Sequence, residues 1–289
     1  MTQNLQLKST VRSTGRLEVS LINADMPVPA ADEVVIRVEA TPINPSDLGG
    51  LFAGADLDAG TTEISNDQPL LTAPIPAALQ PGLSVRLEQA LPIGNEGAGV
   101  VIAAGESLEA QALLGKTVAV LAGGMYAQHR CVPAASCLLL ADGTRAIEAA
   151  SCFVNPLTAL GMVETMKLEG HSGLVHTAAA SNLGQMLNKL CRADNVPLVN
   201  IVRSDTQVAL LKDLGAEHVC NSTDADFINS LTDALEATQA TLAFDAIAGG
   251  ELASDILTAM ERVAERNPVP GNRYGSTIHK QVYLYGVLD

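Results

Sequence analysis

The sequence has no long uninterrupted run of apolar residues, although 47% of its 289 residues are hydrophobic. A membrane span is therefore not expected, because a transmembrane helix needs about 20 consecutive, mainly apolar residues. Residues 1–17 are polar and mixed, and they lack the apolar centre of a secretory signal peptide. The sequence also contains no internal repeat and no low-complexity tract.

Basic residues and cysteines are scarce. The chain has 17 Lys and Arg residues against 32 Asp and Glu residues, a net charge of −15. Because such a surface repels phosphates, we expect no nucleic-acid partner. The five cysteines form no Cys-x-x-Cys pair, and their odd number argues against a disulfide framework. A reducing, cytoplasmic location is predicted, with no membrane partner.

Two regions with different patterns divide the chain. Residues 1–150 alternate short apolar runs with glycine- and proline-containing turns, which predicts a β-rich domain. Within this region, residues 53–92 form a long polar insertion, and loops of that length are uncommon unless they are lids or disordered. Residues 151–289 alternate strands and helices, which predicts a parallel sheet with helices on both faces. The predicted class is therefore α/β with two domains.

The fifth strand predicted in the second region covers residues 282–285, close to the end of the sequence at Asp289. A doubly wound sheet commonly has six parallel strands, so one strand of such a sheet is missing. We therefore expect the sequence to be a C-terminally shortened version of a longer chain.

Residues 174–186 have the pattern that opens a dinucleotide-binding βαβ unit: a short apolar strand, a turn of small residues and a helix. The usual Gly-x-Gly-x-x-Gly positions are occupied by Ala179, Ser181 and Gly184, so the motif alone is weak. A helix N-terminus offers N–H groups and a positive dipole end to a pyrophosphate. We predict that this loop binds a cofactor, through Ser181, Asn182, Leu183 and Gly184. The alternative is a βαβ unit that binds no nucleotide.

The end of the next strand, residues 198–202, predicts which nucleotide is bound. NAD-specific units place Asp or Glu there to bind the ribose 2′-hydroxyl, but here Arg203 and Ser204 follow. A guanidinium can bind a 2′-phosphate, so the predicted cofactor is NADPH. Arg203 could instead be an ordinary exposed arginine. Gly249, after the fourth strand, would let a ligand approach the backbone or would simply form a turn.

Several motifs in the same order make this sequence resemble the medium-chain dehydrogenase/reductase superfamily. They are Ile43-Asn44-Pro45-Ser46-Asp47, the segment 94–101 (Gly-Asn-Glu-Gly-Ala-Gly-Val-Val), Asn155-Pro156-Leu157-Thr158-Ala159, the loop 181–184 and the segment 214–219. The resemblance covers residues 17–289. It implies an N-terminal chaperonin-10-like β-barrel domain, a Rossmann domain with a doubly wound parallel sheet, and an active site between the two.

The resemblance also bears on zinc, which needs about three protein ligands at a catalytic site. Zinc alcohol dehydrogenases have a Cys near the start of the barrel domain and a His in Gly-His-Glu. This sequence has no Cys near Asn44 and has Asn95 in place of that His, and the structural cysteine cluster is absent. We therefore expect no metal, and Glu96 is left with a structural role.

Two zinc-free branches resemble the chain. Quinone oxidoreductases share the Asn-Pro-Ser-Asp motif and a Tyr-Ala segment, here Tyr126-Ala127. Enoyl thioester (enoyl-ACP/CoA) reductases share Gly-Asn-Glu-Gly, Asn-Pro-x-Thr-Ala and the arginine after the second strand. Their tyrosine is missing from residues 48–54, where Phe52 stands, so the quinone branch is favoured. A third reading is an NADPH-binding protein without turnover.

The resemblance assigns roles to individual residues. Tyr126 would donate a hydrogen bond or a proton to the oxygen of a small quinone or enone substrate, and the side-chain amide of Asn44 would donate a hydrogen bond. Asn155 and Thr158 would lie near the cofactor, and the backbone of Gly286 would meet the nicotinamide. Alternatively, Tyr126 is a core residue, Asn44 forms a turn and Thr158 caps a helix. A homodimer is expected for the full-length form.

Overall fold

The computed structural model describes residues 3–65, 67–266 and 275–288. These residues form two compact units, Met1–Val154 and Asn155–Asp289. The predicted fold class is confirmed, because the first unit contains curled antiparallel sheets and the second a parallel sheet with helices.

The first unit consists mainly of strands. Its elements are β1 (Gln3–Val11), β2 (Arg16–Asp25), β3 (Glu33–Ala40), α1 (Pro45–Phe52), β4 (Thr61–Ser65), β5 (Gln68–Pro74), β6 (Leu91–Pro92), β7 (Glu96–Ala104), α2 (Leu108–Leu113), β8 (Thr117–Leu121), β9 (His129–Pro133), β10 (Cys137–Leu139) and α3 (Ala146–Ala149). Among the described residues they form two five-stranded sheets, ordered β4-β5-β2-β1-β6 and β10-β8-β7-β3-β9.

Residues 53–92 are not a long loop, so that prediction was wrong. β4 and β5 form an antiparallel hairpin in which Thr61 pairs with Thr72, and β5 also pairs with β2. β6 then pairs with β1. Because β4 is an exposed edge strand, it has no apolar face, and the alternation that identifies a half-buried strand is missing from its sequence.

The second unit alternates helices and parallel strands. Its elements are α4 (Val154–Leu168), β11 (Leu174–His176), α5 (Asn182–Asp194), β12 (Leu198–Val202), α6 (Asp205–Asp213), β13 (His218–Asn221), α7 (Phe227–Thr238), β14 (Leu242–Asp245), α8 (Leu252–Arg266) and β15 (Gln281–Leu284). The strand order is β13-β12-β11-β14-β15, and all four pairings are parallel.

The strand order reverses between β11 and β14. From β11 the chain moves outward to β12 and β13, and it then crosses to the other side of β11 for β14 and β15. In open α/β sheets, ligands bind beyond the carboxyl ends of the strands at such a reversal. The fold therefore selects the loops after β11, β12, β14 and β15 as the region to examine.

Neighbouring residues of the central strands pack into two different apolar cores. Leu174 on β11 and Leu242 on β14 join the core formed with α4 and α5. The next residues, Val175 and Ala243, join the core formed with α7 and α8. This follows from the period of two in a strand, and it explains why both strands begin with consecutive apolar residues when helices cover both faces of the sheet.

In the described part of the chain, the stretch Ala146–Leu168 has the length and hydropathy of a membrane-spanning helix. A single such stretch is weak evidence, since core helices of other proteins pass the same test. Here the stretch is divided into α3 and α4 by residues 150–153.

Gly184, in the first turn of α5, has no room for a side chain. A Cβ there would lie 2.2 Å from the carbonyl oxygen of Ala179. We expect Gly184→Ala to lower the free energy of unfolding by about 1–3 kcal/mol, the usual cost of overpacking. Gly161→Ala in α4 is the matched control, because no atom lies within 4 Å of its Cβ position. Urea unfolding of both variants tests this, and equal stabilities would contradict the close packing of α5 on the loop.

Candidate active site

Glu96, at the start of β7, organises the first unit's predicted catalytic region. Its side chain is fully buried. One carboxylate oxygen accepts a hydrogen bond from the Asn44 side-chain amide at 3.2 Å, and the other accepts from the backbone N–H groups of Phe153 and Val154 at 2.9 and 3.1 Å. A buried carboxylate is tolerated when donors satisfy it in this way. Glu96 thus anchors the loop before α1 to Phe153 and Val154, at the end of the first unit.

Asp47, in the first turn of α1, is a second buried carboxylate beside Glu96. It accepts hydrogen bonds from the backbone N–H groups of Asn44 and Asn95, both at 2.9 Å. The Asn95 side chain donates to Ser46 at 2.9 Å. Asn95 therefore joins the start of α1 to the residue before β7 through hydrogen bonds to Asp47 and Ser46, at the position where the resemblance implies a His in zinc alcohol dehydrogenases.

Tyr126 lies at the edge of this network. Its hydroxyl donates to the Pro42 carbonyl oxygen at 2.9 Å, and its ring packs on Gly94, where a Cβ would lie 2.5 Å from the ring. Burial, together with the negative charge of Asp47, raises the pKa of Tyr126 to about 12. The phenol therefore stays protonated near neutral pH and can donate a hydrogen bond but cannot act as a base.

The first unit thus places Asn44 and Tyr126, the two predicted catalytic residues, around the same carboxylate, Asp47. Asn44 is 4% exposed, and its amide donates to Glu96. Asn44 is also the N-cap residue of α1, so it has the turn role that was the alternative to a catalytic role. Tyr126 is half-buried. Their catalytic roles stay predictions, and Tyr126 is the better placed donor of the two.

In the second unit, the predicted cofactor loop joins β11 to α5. Ser181 is the N-cap of α5, and its hydroxyl accepts from the Gly184 N–H at 3.2 Å. Ala178 has a left-handed backbone with φ of 50°, which is rare for a residue with a Cβ. On either side of it, Thr177 N–H donates to Phe244 O at 3.2 Å and Ala179 N–H to Ile201 O at 3.1 Å. The strained loop is therefore fixed to both neighbouring strands.

Arg203 and Ser204 follow β12, as predicted. The Arg203 side chain is exposed, and its backbone N–H donates to the Gln207 side chain at 3.0 Å. Ser204 is the N-cap of α6. The acidic residue nearest to the strand end, Asp205, accepts from the Asn221 side chain at 3.1 Å.

Asp245, at the end of β14, is buried and fixes the loop after β14 by hydrogen bonds. Its carboxylate accepts from the Thr177 hydroxyl at 2.7 Å and from the Ile247 and Ala248 N–H groups at 2.9 and 3.2 Å. Ala248 is left-handed, with φ of 55°. The loop that contains Gly249 is thus bound to the end of β11, across the reversal of strand order. Its geometry is that of a fixed turn, and binding by Gly249 stays a prediction.

Gly286 follows β15 and packs closely on the same loop. A Cβ at Gly286 would lie 2.6 Å from the Ala246 carbonyl oxygen. The close approach brings the backbone after β15 against the backbone after β14. The predicted residues Ser181–Gly184, Arg203, Ser204, Gly249 and Gly286 therefore all lie beyond the carboxyl ends of adjacent parallel strands.

His176 and Tyr285 form an unpredicted pair at the same edge of the sheet. His176 on β11 is fully buried, and its Nε2 lies 2.7 Å from the hydroxyl of Tyr285, which follows β15. Their rings stack with centroids 5.9 Å apart. Among the described residues, His176 Nδ1 has no hydrogen-bond partner. Burial lowers the pKa of His176 to about 4, so the imidazole is neutral, and burial raises the pKa of Tyr285.

Asn155 and Thr158 both lie on α4, outside this set of loops. Because α4 begins at Val154, Thr158 lies inside the helix, and the alternative that it caps the helix is wrong. Both residues make interactions within the described chain. Their contact with a cofactor stays a prediction.

The described residues include no group of three or more His, Cys, Asp or Glu side chains arranged to hold a metal ion. The expectation of zinc-independent chemistry stays a prediction.

Sequence reasoning missed His176, Thr177, Asp245 and Tyr285. A polar residue at the last position of an apolar strand is a usable signal, and His176 and Asp245 both occupy such positions. Their pairing with Thr177 and Tyr285 depends on strand order and could not be read from local sequence.

Related proteins are found by comparison of sequences and by comparison of structures. No family model matches the chain. The synaptic vesicle membrane protein VAT-1 homolog of Rattus norvegicus is 28% identical over 209 residues, which are 71% of this chain and 44% of that protein. The mitochondrial enoyl-[acyl-carrier-protein] reductase of Xenopus tropicalis is 25% identical over 205 residues, 69% of this chain and 51% of that protein. The chain thus spans about half the length of these curated relatives.

A solved structure covers more of the chain. The crystal structure described as a "putative NADPH:quinone reductase" from Mesorhizobium loti is 30% identical, with a TM-score of 0.65. The match covers 90% of this chain and 72% of that protein.

The buried His176 predicts a pH dependence of stability. Its pKa is about 4 in the fold and about 6.5 when exposed, so the unfolded chain binds the extra proton first as the pH falls. The stability of the fold that depends on neutral His176 is complete above pH 6.5. It is lost as the pH falls from 6.5 towards 4, by up to about 1.4 kcal/mol per pH unit. We expect the free energy of unfolding, measured in urea, to fall between pH 6.5 and 5.

The matched controls are His176→Gln, which should flatten this part of the profile, and His279→Gln at an exposed histidine, which should not. A wild-type profile that is flat between pH 6.5 and 5 would contradict the neutral burial of His176.

Proposed function

Because the chain belongs to the medium-chain dehydrogenase/reductase superfamily, we propose that it is an NADPH-dependent oxidoreductase that reduces a quinone or an α,β-unsaturated carbonyl compound without zinc. One observation carries the proposal. The N-terminus of α5 and the side chain of Arg203 follow adjacent parallel strands, β11 and β12, at the reversal of strand order. This arrangement suits a dinucleotide with a phosphate on its adenosine ribose.

The residues present fit NADPH. Small residues form the loop before α5, and Gly184 lets the helix pack directly on Ala179. The first N–H groups of a helix have no partner within the helix and are aimed at ligands such as a pyrophosphate. In this proposal Ser181–Gly184 bind the pyrophosphate, Ser204 and Arg203 bind the 2′-phosphate, and the backbone near Gly249 and Gly286 bounds the nicotinamide end.

NADPH, when bound, supplies a hydride from its nicotinamide ring. The chain's own contribution is to orient the acceptor and to stabilise the negative charge that develops on its carbonyl oxygen. Tyr126 is the proposed donor to that oxygen, because its phenol is protonated and its hydroxyl already donates to a carbonyl oxygen, that of Pro42. Asp47 and Glu96 accept hydrogen bonds from Asn44 and fix the loop that carries it. Asn155 and Thr158 are kept as proposed cofactor contacts.

Reduction of an enoyl thioester is the second candidate function, supported by the similarity to mitochondrial enoyl-[acyl-carrier-protein] reductase. Both reactions deliver hydride to a carbon–carbon double bond conjugated with a carbonyl group, so the same donor serves either. The third candidate function is NADPH binding without turnover, which would apply if the chain reduces no acceptor. A cytoplasmic location and a homodimer complete the proposal.

Arg203 should decide between the two nicotinamide cofactors. We expect Arg203→Ala to weaken NADPH binding about 10–100-fold, the value of a charge-assisted hydrogen bond, and to leave NADH binding unchanged. Titration followed by nicotinamide fluorescence measures both. Arg262→Ala, at an exposed arginine on α8, is the control. If the wild type binds NADPH and NADH equally, the assignment of Arg203 is wrong.

Tyr126→Phe tests the proposed donor. Removing one hydrogen bond to a developing oxyanion costs about 100-fold in kcat. NADPH oxidation by a series of quinones and enones gives kcat, while the NADPH dissociation constant should not change. Tyr283→Phe is the control, because Tyr283 donates to Glu169 in the second unit. If Tyr126→Phe retained full kcat, Tyr126 would be a core residue and not the donor.

A further inference from the structure

Lys8 and Arg130 are two cations of the first unit that have no acidic partner among the described residues. Some described cations are ion-paired, as Arg12 is with Glu18 at 2.6 Å and Lys280 with Glu261 at 2.5 Å, and others, such as Lys116, are not.

Pro92 and Gly124 bring the two cations to one place. Lys8 on β1 pairs directly with Pro92 on β6, so their side chains leave the sheet on the same face. A Cβ at Gly124 would lie 3.0 Å from Pro92 Cβ and 3.3 Å from Arg130 Cζ. The guanidinium therefore lies against Gly124, beside the residue opposite Lys8. Gly124 is two positions before Tyr126 in the chain.

The pair is partly removed from water. Arg130 Nε is shielded from solvent and has no hydrogen-bond acceptor in the described part of the chain. The pKa of Lys8 is lowered by burial and then by the positive charge of Arg130. Placing two like charges together with a shielded, unsatisfied donor costs free energy, and an oxyanion between them would offset that cost.

We propose that Lys8 and Arg130 form a binding subsite for one oxyanion, a phosphate or a carboxylate, next to the loop that carries Tyr126. If the proposed function is correct, on which this second step rests, the oxyanion is part of the acceptor substrate. The preferred acceptors are then quinones or enones with an acidic substituent, which a chain of this net charge would otherwise repel.

The first experiment tests the subsite without cofactor or turnover. Inorganic phosphate is titrated into the intact chain, with sodium chloride at matched ionic strength as the reference, and Tm and the Arg130 Nε–H resonance are followed. We expect a saturable rise in Tm and a shift of that resonance. Lys8→Met should lose the phosphate-dependent part of the rise, and Lys116→Met, at an exposed lysine of the same unit, should keep it.

Phosphate could also bind at the proposed nucleotide site, so Arg203→Ala is included. The Lys8-dependent part of the rise should persist in that variant. An unmoved Arg130 resonance, or an equal rise in the wild type and Lys8→Met, would overturn the subsite whatever the fate of the NADPH proposal. The resonance is measured in the wild type, so the test stands even if Lys8→Met folds poorly.

The second experiment compares a neutral naphthoquinone with its sulfonated counterpart. We expect the ratio of kcat/KM for the sulfonated over the neutral compound to fall about 10-fold in Lys8→Met, the loss of one charge-assisted contact. Lys116→Met should leave the ratio unchanged. A shifted Arg130 resonance with an unchanged ratio would support the subsite but overturn its assignment to the substrate. Failure of NADPH oxidation by either quinone would contradict the proposed function alone.

Discussion

Hydrogen bonds to fully buried carboxylates fix the candidate sites of both units. In the second unit, Asp245 joins Thr177 at the end of β11 to the Ile247 and Ala248 N–H groups after β14. In the first unit, Glu96 joins Asn44 to the Val154 N–H group. A buried carboxylate that lost these donors would cost several kcal/mol, so each loop is held in one arrangement. The loops that carry Asn44 and Gly249 depend on this constraint.

The strain in the second unit is located where the carboxylate can support it. Ala178 and Ala248 are both left-handed residues with a Cβ, one on each side of the reversal of strand order. Such residues cost about 1–3 kcal/mol each and persist only when their surroundings fix them. Thr177 contributes to both, because it flanks Ala178 and links to Asp245 through its hydroxyl. Backbone geometry at the proposed cofactor edge is therefore set before any ligand arrives.

Local sequence was sufficient for the regular part of the fold and insufficient for the network that supports the site. The βαβ alternation after residue 151 identifies strands such as β12 and β14, since buried parallel strands are mainly apolar. The hairpin β4–β5 was missed because an exposed edge strand has no apolar face to detect. Asp245 and His176 were missed because their partners, Thr177 and Tyr285, follow other strands and come close to them only after folding. The prediction of Arg203 needed only the end of one strand, so it could be made locally.

Two of these findings together limit the chemistry. Tyr126 is protonated at neutral pH and so is not a base, and burial lowers the pKa of His176 to about 4, which makes its imidazole a weak base. A reaction that requires deprotonation of the substrate would therefore lack an obvious partner among these residues. Hydride transfer to an electron-poor double bond needs only a donor at the carbonyl oxygen, which a neutral phenol provides. The protonation states of Tyr126 and His176 are therefore consistent with the proposed reduction of a conjugated carbonyl compound.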